Sequence, residues 1–333
     1  MNIYEIAFLA GVSTATVSRV LNHSGCVSED TRKKVEAVIA REEYIPNAYA
    51  HSLTTKQSHT IGIICPDISD ANHAYPVAVL SHLLRAQGFE ILLIGTSNNE
   101  ESKRQHFVSL IRRQVEAAIV ISCNATEEEK ADFRYAAGHF PVFILNGEIE
   151  GERIYSVRCD EYAAASGIVR MFAEAGRRRV LYLYDSHTYS GQMKMEGYRH
   201  GMNAYSHEEP MLVFIDGGTL SVLPYAMEQI SCLLDQFTFD AVLAADDLLA
   251  IAVEKALRQA KRPSVPMVGF NNSTFSITAT PELSSVDIRL ANQCEIIVQN
   301  LLKVLSGGHP DSSTVLDTKL YKRESLLRYM PNS

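Results

Sequence analysis

Between Ser13 and Asn22 the chain reads STATVSRVLN. Ser13, Thr14, Thr16 and Ser18 carry hydroxyls there, Arg19 a guanidinium and Asn22 an amide. Val17, Val20 and Leu21 recur at helical spacing and suffice to seat a short helix, which leaves the polar groups free for hydrogen bonding outward. A second candidate is the pair Asp246-Asp247, two adjacent carboxylates that could share acid/base work. Asp247, however, opens a helical pattern, where a carboxylate caps and favours the dipole, and capping is the reading adopted. The triple Arg177-Arg178-Arg179 offers a basic patch, but it precedes an apolar strand and reads as a solvated turn. The chain has no Gly-x-x-x-x-Gly-Lys-Ser/Thr loop, no Gly-x-Gly-x-x-Gly after a strand, no Gly-x-Ser-x-Gly elbow and no His-x-x-x-His spacing. Phosphate-transfer, dinucleotide, hydrolase and metal chemistries therefore lose their anchors. The expectation is a protein without catalytic residues, cofactor or metal.

Composition places the chain among ordinary globular proteins: 333 residues, 46% hydrophobic, 21% charged, a length suited to about two domains. No apolar run approaches the roughly 20 residues of a membrane span, and the N-terminus has no secretory pattern, so a cytoplasmic protein with no membrane partner is expected. Cys26, Cys65, Cys123, Cys159, Cys232 and Cys294 are scattered, mostly within apolar strings, and read as reduced core thiols. The formal charge is −8. Residues 1–58 are neutral, with Arg19, Arg32, Lys33, Lys34, Arg41 and Lys56 opposing Glu5, Glu29, Asp30, Glu36, Glu42 and Glu43. That is a weak electrostatic footprint for nucleic acid.

Three helices must position the first stretch. In IYEIAFLAG, Ile3, Ile6 and Ala10 share a face and Gly11 breaks the pattern; Ser13 can cap the next helix, and SEDTRKKVEAVIAREE is an amphipathic third helix capped by Ser28. Two helices joined by so tight a Gly-containing turn form a helix-turn-helix, which presents its second helix outward. The segment YIPNAYAHSLTTKQSHT reads as a linker able to form one short helix around Leu53, marginal alone because nucleation is costly. From Thr60 onward, apolar strands (TIGIIC, EILLIG, AAIVIS, PVFIL) alternate with helices, and the pattern restarts after IYSVRCD with RVLYLY, MLVFI, AVLAA and PMVGF. Such continuous apolar strands imply parallel sheets covered on both faces, and two βα halves imply two doubly wound lobes with a cleft between them.

These stretches, together with LIRRQVEAAIV, GRRRVLYL, EGYRHGM, AVLAADDLLAIAVEKAL, VGFNN, TPELSSV and YKRESL, resemble the lactose repressor and galactose repressor family of bacterial transcriptional regulators along essentially the whole chain. The resemblance implies an all-α headpiece over residues 1–45, a hinge over 46–58 and a core over 59–333 whose α/β lobes are like a periplasmic sugar-binding protein. It also implies a repressor-type, sequence-specific regulator acting as a homodimer on pseudopalindromic operator DNA. The closing residues show no leucine heptad, so the family's tetramer-forming tail is not expected.

By the same resemblance, Thr14 and Ala15 choose bases and Arg19 bonds a guanine edge, while Tyr4, Ser13, Thr16, Ser18 and Asn22 belong to the DNA-contacting set, Thr16, Ser18 and Asn22 as phosphate anchors. Small hydroxyl residues suit this role because they bond phosphates and let the backbone approach the groove. Thr14-Ala15 is closer to the Val-Ala and Met-Ala pairs of the galactose repressor and catabolite control branches than to a Tyr-Gln pair. Leu53 matches the residue that wedges into the minor groove at a central step, with Asn47 and Ala50 on the same helix. Ser13 has a second reading as an N-cap, and Arg19 as a solvated cation.

In the core, the resemblance implies a small, sugar-like effector held by Asn72, His73, Asn146, Lys194, Asp246 and Asn271. Several of these depart from the family pattern: Asn146 for Asp, Lys194 for Arg, Asp246 for Asn, Asn271-Asn272 for Asp-Asp, and Asn72-His73 where two aromatics are common. Replacing Arg by Lys exchanges a planar fork for a point charge, which suits a different ligand geometry. Two other classes stay open at this point, a sugar-binding module without DNA function and an α/β enzyme acting on a sugar. The first leaves residues 1–58 unexplained; the second needs a nucleophile or base in the cleft.

Overall fold

In the computed structural model, which describes residues 1–21, 24–44, 58–96, 103–215, 222–233 and 236–329, the first helix, α1 (Ile3–Ala10), begins with a reciprocal cap. Asn2 Oδ1 accepts from the backbone N–H of Tyr4 and Glu5, and the Glu5 carboxylate accepts from Asn2 N at 2.9 Å. Gly11 ends the helix at φ +64, a left-handed backbone that favours glycine. After the turn, Ser13 Oγ accepts from Thr16 N at 3.2 Å and starts α2 (Thr14–Leu21). Ser28 does the same for α3 (Glu29–Arg41). The three helices close on Ile6, Ala7, Val17, Val20, Val35 and Val38, all buried. Burying such an aliphatic side chain is worth roughly 1.5–3 kcal/mol, a large share for a bundle this small. This bundle lies in one compact unit, Met1–His59; the second unit is Thr60–Ser333.

The larger unit carries two sheets. The first contains β1 (Thr60–Cys65), β2 (Glu90–Gly95), β3 (Ala117–Ile121), β4 (Val142–Leu145), β5 (Ile154–Cys159) and β11 (Ser313–Leu316), in the order β11-β5-β4-β3-β1-β2 and parallel throughout the described residues. Alternation assigns its faces. Ile61, Ile63, Ile119 and Phe143 pack with Leu80 and Leu84 of α4 (Ala71–Ala86) and with Ile297 and Leu301 of α12 (Leu290–Leu305). Ile64, Val120 and Ile144 turn the other way, toward Phe107 and Leu110 of α5 (Lys103–Arg112) and Phe133 of α6 (Glu127–Ala137).

The second sheet runs β12-β10-β9-β8-β6-β7, built from β6 (Val180–Tyr184), β7 (Met211–Phe214), β8 (Ala241–Ala244), β9 (Met267–Phe270), β10 (Ser284–Asp287) and β12 (Lys319–Tyr321). It is parallel apart from β12, which pairs antiparallel with β10. One face is covered by α7 (Glu161–Glu174) and α8 (Tyr189–Gly201), the other by α10 (Asp247–Gln259) and the preceding α9 (Val222–Leu233). Gly197 allows α8 to lie on α7: a Cβ there would overlap the backbone carbonyl of Tyr162.

The two doubly wound lobes are therefore present, with one difference from a simple tandem. The chain crosses between sheets after β5, between β10 and α12, and between β11 and β12, so each lobe is completed by residues near the C-terminal end. Cys159 sits at this junction, its thiol donating to Ile288 O at 2.8 Å, with Asp317 O at 4.0 Å. The expectation of core thiols holds for Cys65, Cys123, Cys159 and Cys294, whose burial pushes their pKa values up to about 11, 11, 12 and 12. Cys26 and Cys232 are exposed, contrary to it.

Candidate nucleic-acid interface and ligand cleft

On α2 the apolar positions Val17 and Val20 are buried, and Leu21 packs against the same core. Ser13, Ala15 and Arg19 are exposed, while Thr14, Thr16 and Ser18 are half-buried. Ser13 and Thr16 are joined at 2.9 Å between their hydroxyls, so Ser13 does act as an N-cap, and Thr16 Oγ1 is its side-chain partner. The stem of Arg19 lies against Gly25, where a Cβ would come within 3.3 Å of its Cδ, and its guanidinium makes no ion pair with a described residue. Such an outward guanidinium on a helix edged with hydroxyls can form a bidentate pair with a guanine. Tyr4 is 73% exposed on α1, beside the equally outward Phe8. Asn22, Asn47, Ala50 and Leu53 lie outside the described residues.

In the larger unit, three of the six candidate ligand residues meet. Asp246 follows β8 and caps α10, its Oδ1 accepting from Leu248 N at 2.7 Å. Its Oδ2 accepts from Asn72 Nδ2 at 2.7 Å and from Asn271 Nδ2 at 2.9 Å. Asn72 belongs to α4 and the first sheet's lobe, Asn271 to the end of β9, so one carboxylate oxygen ties the two lobes together. The cap is thus Asp246 and not Asp247. Asp247, the first helical residue, is buried and accepts from Ser273 N and Ser273 Oγ at 2.7 Å each and from Ser285 Oγ at 2.6 Å. Burial and the neighbouring Asp246 charge push Asp247 up to about 7, and burial raises Asp246 as well.

Lys194 joins this cluster from α8, buried, its ammonium 3.3 Å from Glu161, 3.1 Å from the Ala245 carbonyl and 4.9 Å from the centroid of Phe270. Glu161 also accepts from Ser190 Oγ at 2.8 Å. His73 does not enter the network; its Nδ1 lies 3.6 Å from the Asp70 carboxylate, beyond hydrogen-bond range. Asn146 stands apart too, at the end of β4, with a buried Oδ1 that has no partner among the described residues. Asn146 and Asn271 adopt φ +56 and +89, a region that Asn tolerates better than most residues, which gives both a backbone reason beside any ligand role. Asn272 is engaged by Arg323, whose Nη2 donates to its Oδ1 at 2.5 Å.

Sequence reasoning missed several groups here. Asp185, directly after β6, is held up at about 7 by burial and then by Asp246, with Lys194 opposing the rise. Tyr184, His187 and Phe214 form an aromatic ledge at the ends of β6 and β7, with His187 stacked on Phe214 at 4.9 Å and Tyr184 at 5.2 Å from Phe214. Glu148 accepts from Tyr189 Oη, Arg158 Nε and Ser313 Oγ at 2.9, 2.9 and 2.6 Å. Burial would raise that carboxyl, but the three donors outweigh it and hold Glu148 below the usual range. A carboxylate placed just beyond a buried parallel strand was the available signal for Asp185, since ligands of open α/β sheets bind at that end.

Among the described residues there is no group of three or more His, Cys, Asp or Glu suited to hold a metal, and no helix is long and apolar enough to cross a membrane.

Residues 2–47 match the model of bacterial regulatory proteins of the lacI family, and residues 169–326 that of a periplasmic binding protein-like domain. The chain is 34% identical to an HTH-type transcriptional regulator of Lachnoclostridium phytofermentans, over 98% of this chain and 99% of the relative. It is 31% identical to the HTH-type transcriptional regulator GalS of Salmonella typhimurium, over 92% and 91%. Its fold is that of the lac repressor dimer solved with operator and the anti-inducer ONPF, with a TM-score of 0.86 at 22% identity over 98% of both chains. A helix-turn-helix with an outward polar helix, followed by two parallel-sheet lobes and matched over its length by such relatives, makes the chain a member of the lacI family of bacterial regulatory proteins.

Proposed function

We propose that this family member is a homodimeric repressor whose headpiece, residues 1–45, reads a pseudopalindromic operator, and whose core, residues 59–333, holds a small sugar-like effector between its lobes. The observation that carries the reading is the outward face of α2, where Thr14, Ala15, Ser18 and Arg19 surround a helix already seated by Val17 and Val20. Ala15 and Arg19 are exposed there, and Thr14 and Ser18 are half-buried beside them. A two-fold pair of such helices would meet two half-sites about one DNA turn apart. Residues 46–58, with Leu53 as the wedge, link the headpiece to the core. The protein works on chromosomal DNA in the cytoplasm and turns over no substrate.

The effector acts through the angle between the lobes. Asp246 touches Asn72 on one side and Asn271 on the other, so a ligand that replaces either amide alters the tie between lobes. Such coupling is typically about 1–3 kcal/mol and is reciprocal: operator DNA changes effector affinity by the same factor. The test is a mobility-shift titration of the full chain, of residues 60–333 and of Leu53→Ala with selected operator. The full chain should bind specifically, the core should not, and Leu53→Ala should keep weak, salt-sensitive contact only. Equal binding by the core would remove the headpiece from the reading.

A further inference from the structure

Asn72 and Asp246 fasten the two lobes on one flank, and a different residue fastens them on the other. Tyr189 opens α8, a helix of the second sheet's lobe, whose first turn is capped by Thr188 Oγ1 accepting from Gly191 N at 3.2 Å. The side chain of Tyr189 packs against the core of the first lobe, in the cluster that holds Ile64, Phe107 and Phe133. Its backbone N–H donates to the carbonyl of Cys123, just past β3, at 2.7 Å, and its hydroxyl donates to the Glu148 carboxylate, just past β4, at 2.9 Å. Its ring lies 5.6 Å from the guanidinium of Arg158 on β5, which pairs with the same carboxylate oxygen. Ser313, at the start of β11, donates to the other oxygen of Glu148 at 2.6 Å. Four strands of the first sheet thus converge on one residue of the second lobe.

The two fastenings lie on opposite faces. Asn72 belongs to α4, on the face of the first sheet shared with α12, and Asp246 caps α10. Tyr189 meets the face covered by α5 and α6, and it leaves from α8, across the second sheet from α10. A single contact would be a point about which the lobes turn; two on opposite flanks fix the angle. They differ in chemistry as well. Asn72 meets Asp246 through one amide–carboxylate bond, which a ligand hydroxyl replaces group for group. The Tyr189 contact combines a backbone bond, a charge-assisted hydroxyl–carboxylate bond, ring burial and a nearby cation, and no single polar group of a ligand replaces them together. Resting on the reading of this cleft as the effector site, we propose that Tyr189 is the pivot of the lobe movement. The effector exchanges with the Asn72–Asp246 contact, while the Tyr189 flank stays shut and the lobes turn about it. Tyr189 is on this account a positioning residue, acting on the effector through the lobe angle.

Two native cysteines make the test site-specific. Cys123, 1% exposed, shares the contact with Tyr189, whereas Cys294, fully buried between α12 and the first sheet, reports unfolding of that lobe. The experiment is pulsed alkylation of the full chain with N-ethylmaleimide, read by peptide mass spectrometry at both thiols, with hydrogen exchange over residues 66–74, for wild type, Asn72→Asp and Tyr189→Phe. Asn72→Asp sets a carboxylate against Asp246 and opens that flank; Tyr189→Phe deletes only the hydroxyl. In Asn72→Asp, exchange over residues 66–74 should rise about tenfold while Cys123 reactivity stays within about twofold of wild type; in Tyr189→Phe, Cys123 reactivity should rise about tenfold; Cys294 should not change in either. Cys123 rising as far in Asn72→Asp as in Tyr189→Phe would show that the flanks open together, and would overturn the proposal. So would an unaltered Cys123 in Tyr189→Phe, unmoved exchange over residues 66–74 in Asn72→Asp, or a rise at Cys294 matching that at Cys123, which would make the contact a part of the lobe's own fold. Operator binding by the same wild-type preparation keeps the two readings apart: present, it leaves the regulator standing when the pivot fails; absent, it removes the regulator whatever the thiols show.

Discussion

Asp185→Asn exchanges a carboxylate that burial and Asp246 hold at about 7 for an amide of the same shape that does not titrate. In the unfolded chain an aspartate titrates near its ordinary 3.8, so the folded protein binds the proton more tightly. The sign follows from linkage: the stabilising contribution is intact below 3.8, declines as pH rises and is lost once pH passes about 7. The interval between those two values is worth about 4 kcal/mol in full, of which about 2 kcal/mol falls between about pH 5.5 and about pH 8. Urea unfolding of wild type and variant, followed by circular dichroism at both pH values, reads the difference. Wild type should lose about 2 kcal/mol more than Asp185→Asn over that range. The other group held up at about 7, Asp247, is common to both proteins. Parallel pH profiles for the two proteins would refute the burial argument.

Arg19→Ala should relax preference at one base pair by roughly 1–3 kcal/mol when binding is measured over a set of single-substitution operators; a uniform loss would reassign Arg19 to phosphate. Val17→Ala removes two methyl groups from a fully buried site in a small bundle. It should lower headpiece stability by about 2 kcal/mol and its calorimetric transition by roughly 10 °C, leaving the transition of the larger unit in place. Gly197→Ala forces a methyl group onto the Tyr162 carbonyl, and should cost more than about 3 kcal/mol in the larger unit, as read by its urea midpoint. A fully stable Gly197→Ala would show that α7 and α8 separate without penalty.

Much of the fold was legible because its local signals are strong. Val17 and Val20 mark a helix face, and runs such as TIGIIC and AAIVI can only be strands covered on both sides, as their burial bears out. The last part of the larger unit was not. The strands SSVD, STVL and KLY are three or four residues long and carry few apolar side chains, and they form only because distant neighbours complete their ladders. No periodicity reveals that Ser313–Leu316 closes the first sheet instead of the second. The cleft divides the same way. Lys194 and Asp246 stood out as departures from a family pattern. Their actual partners, Glu161 for the lysine and Asn72 for the aspartate, are separated from them by 33 and 174 residues and follow from topology alone. Asp247 shows the limit of local rules: its position suggested a cap, but tertiary hydrogen bonds from Ser273 and Ser285 claim its carboxylate.

The central claim is that α2 reads DNA sequence, and an unbiased selection from random duplexes with the full chain tests it most directly. Enrichment of a two-fold pseudopalindrome, lost when Thr14, Ala15 and Arg19 are substituted together in a headpiece that still melts cooperatively, is the predicted result. A final pool no different from the starting library, or the same motif recovered by the substituted protein, would contradict it.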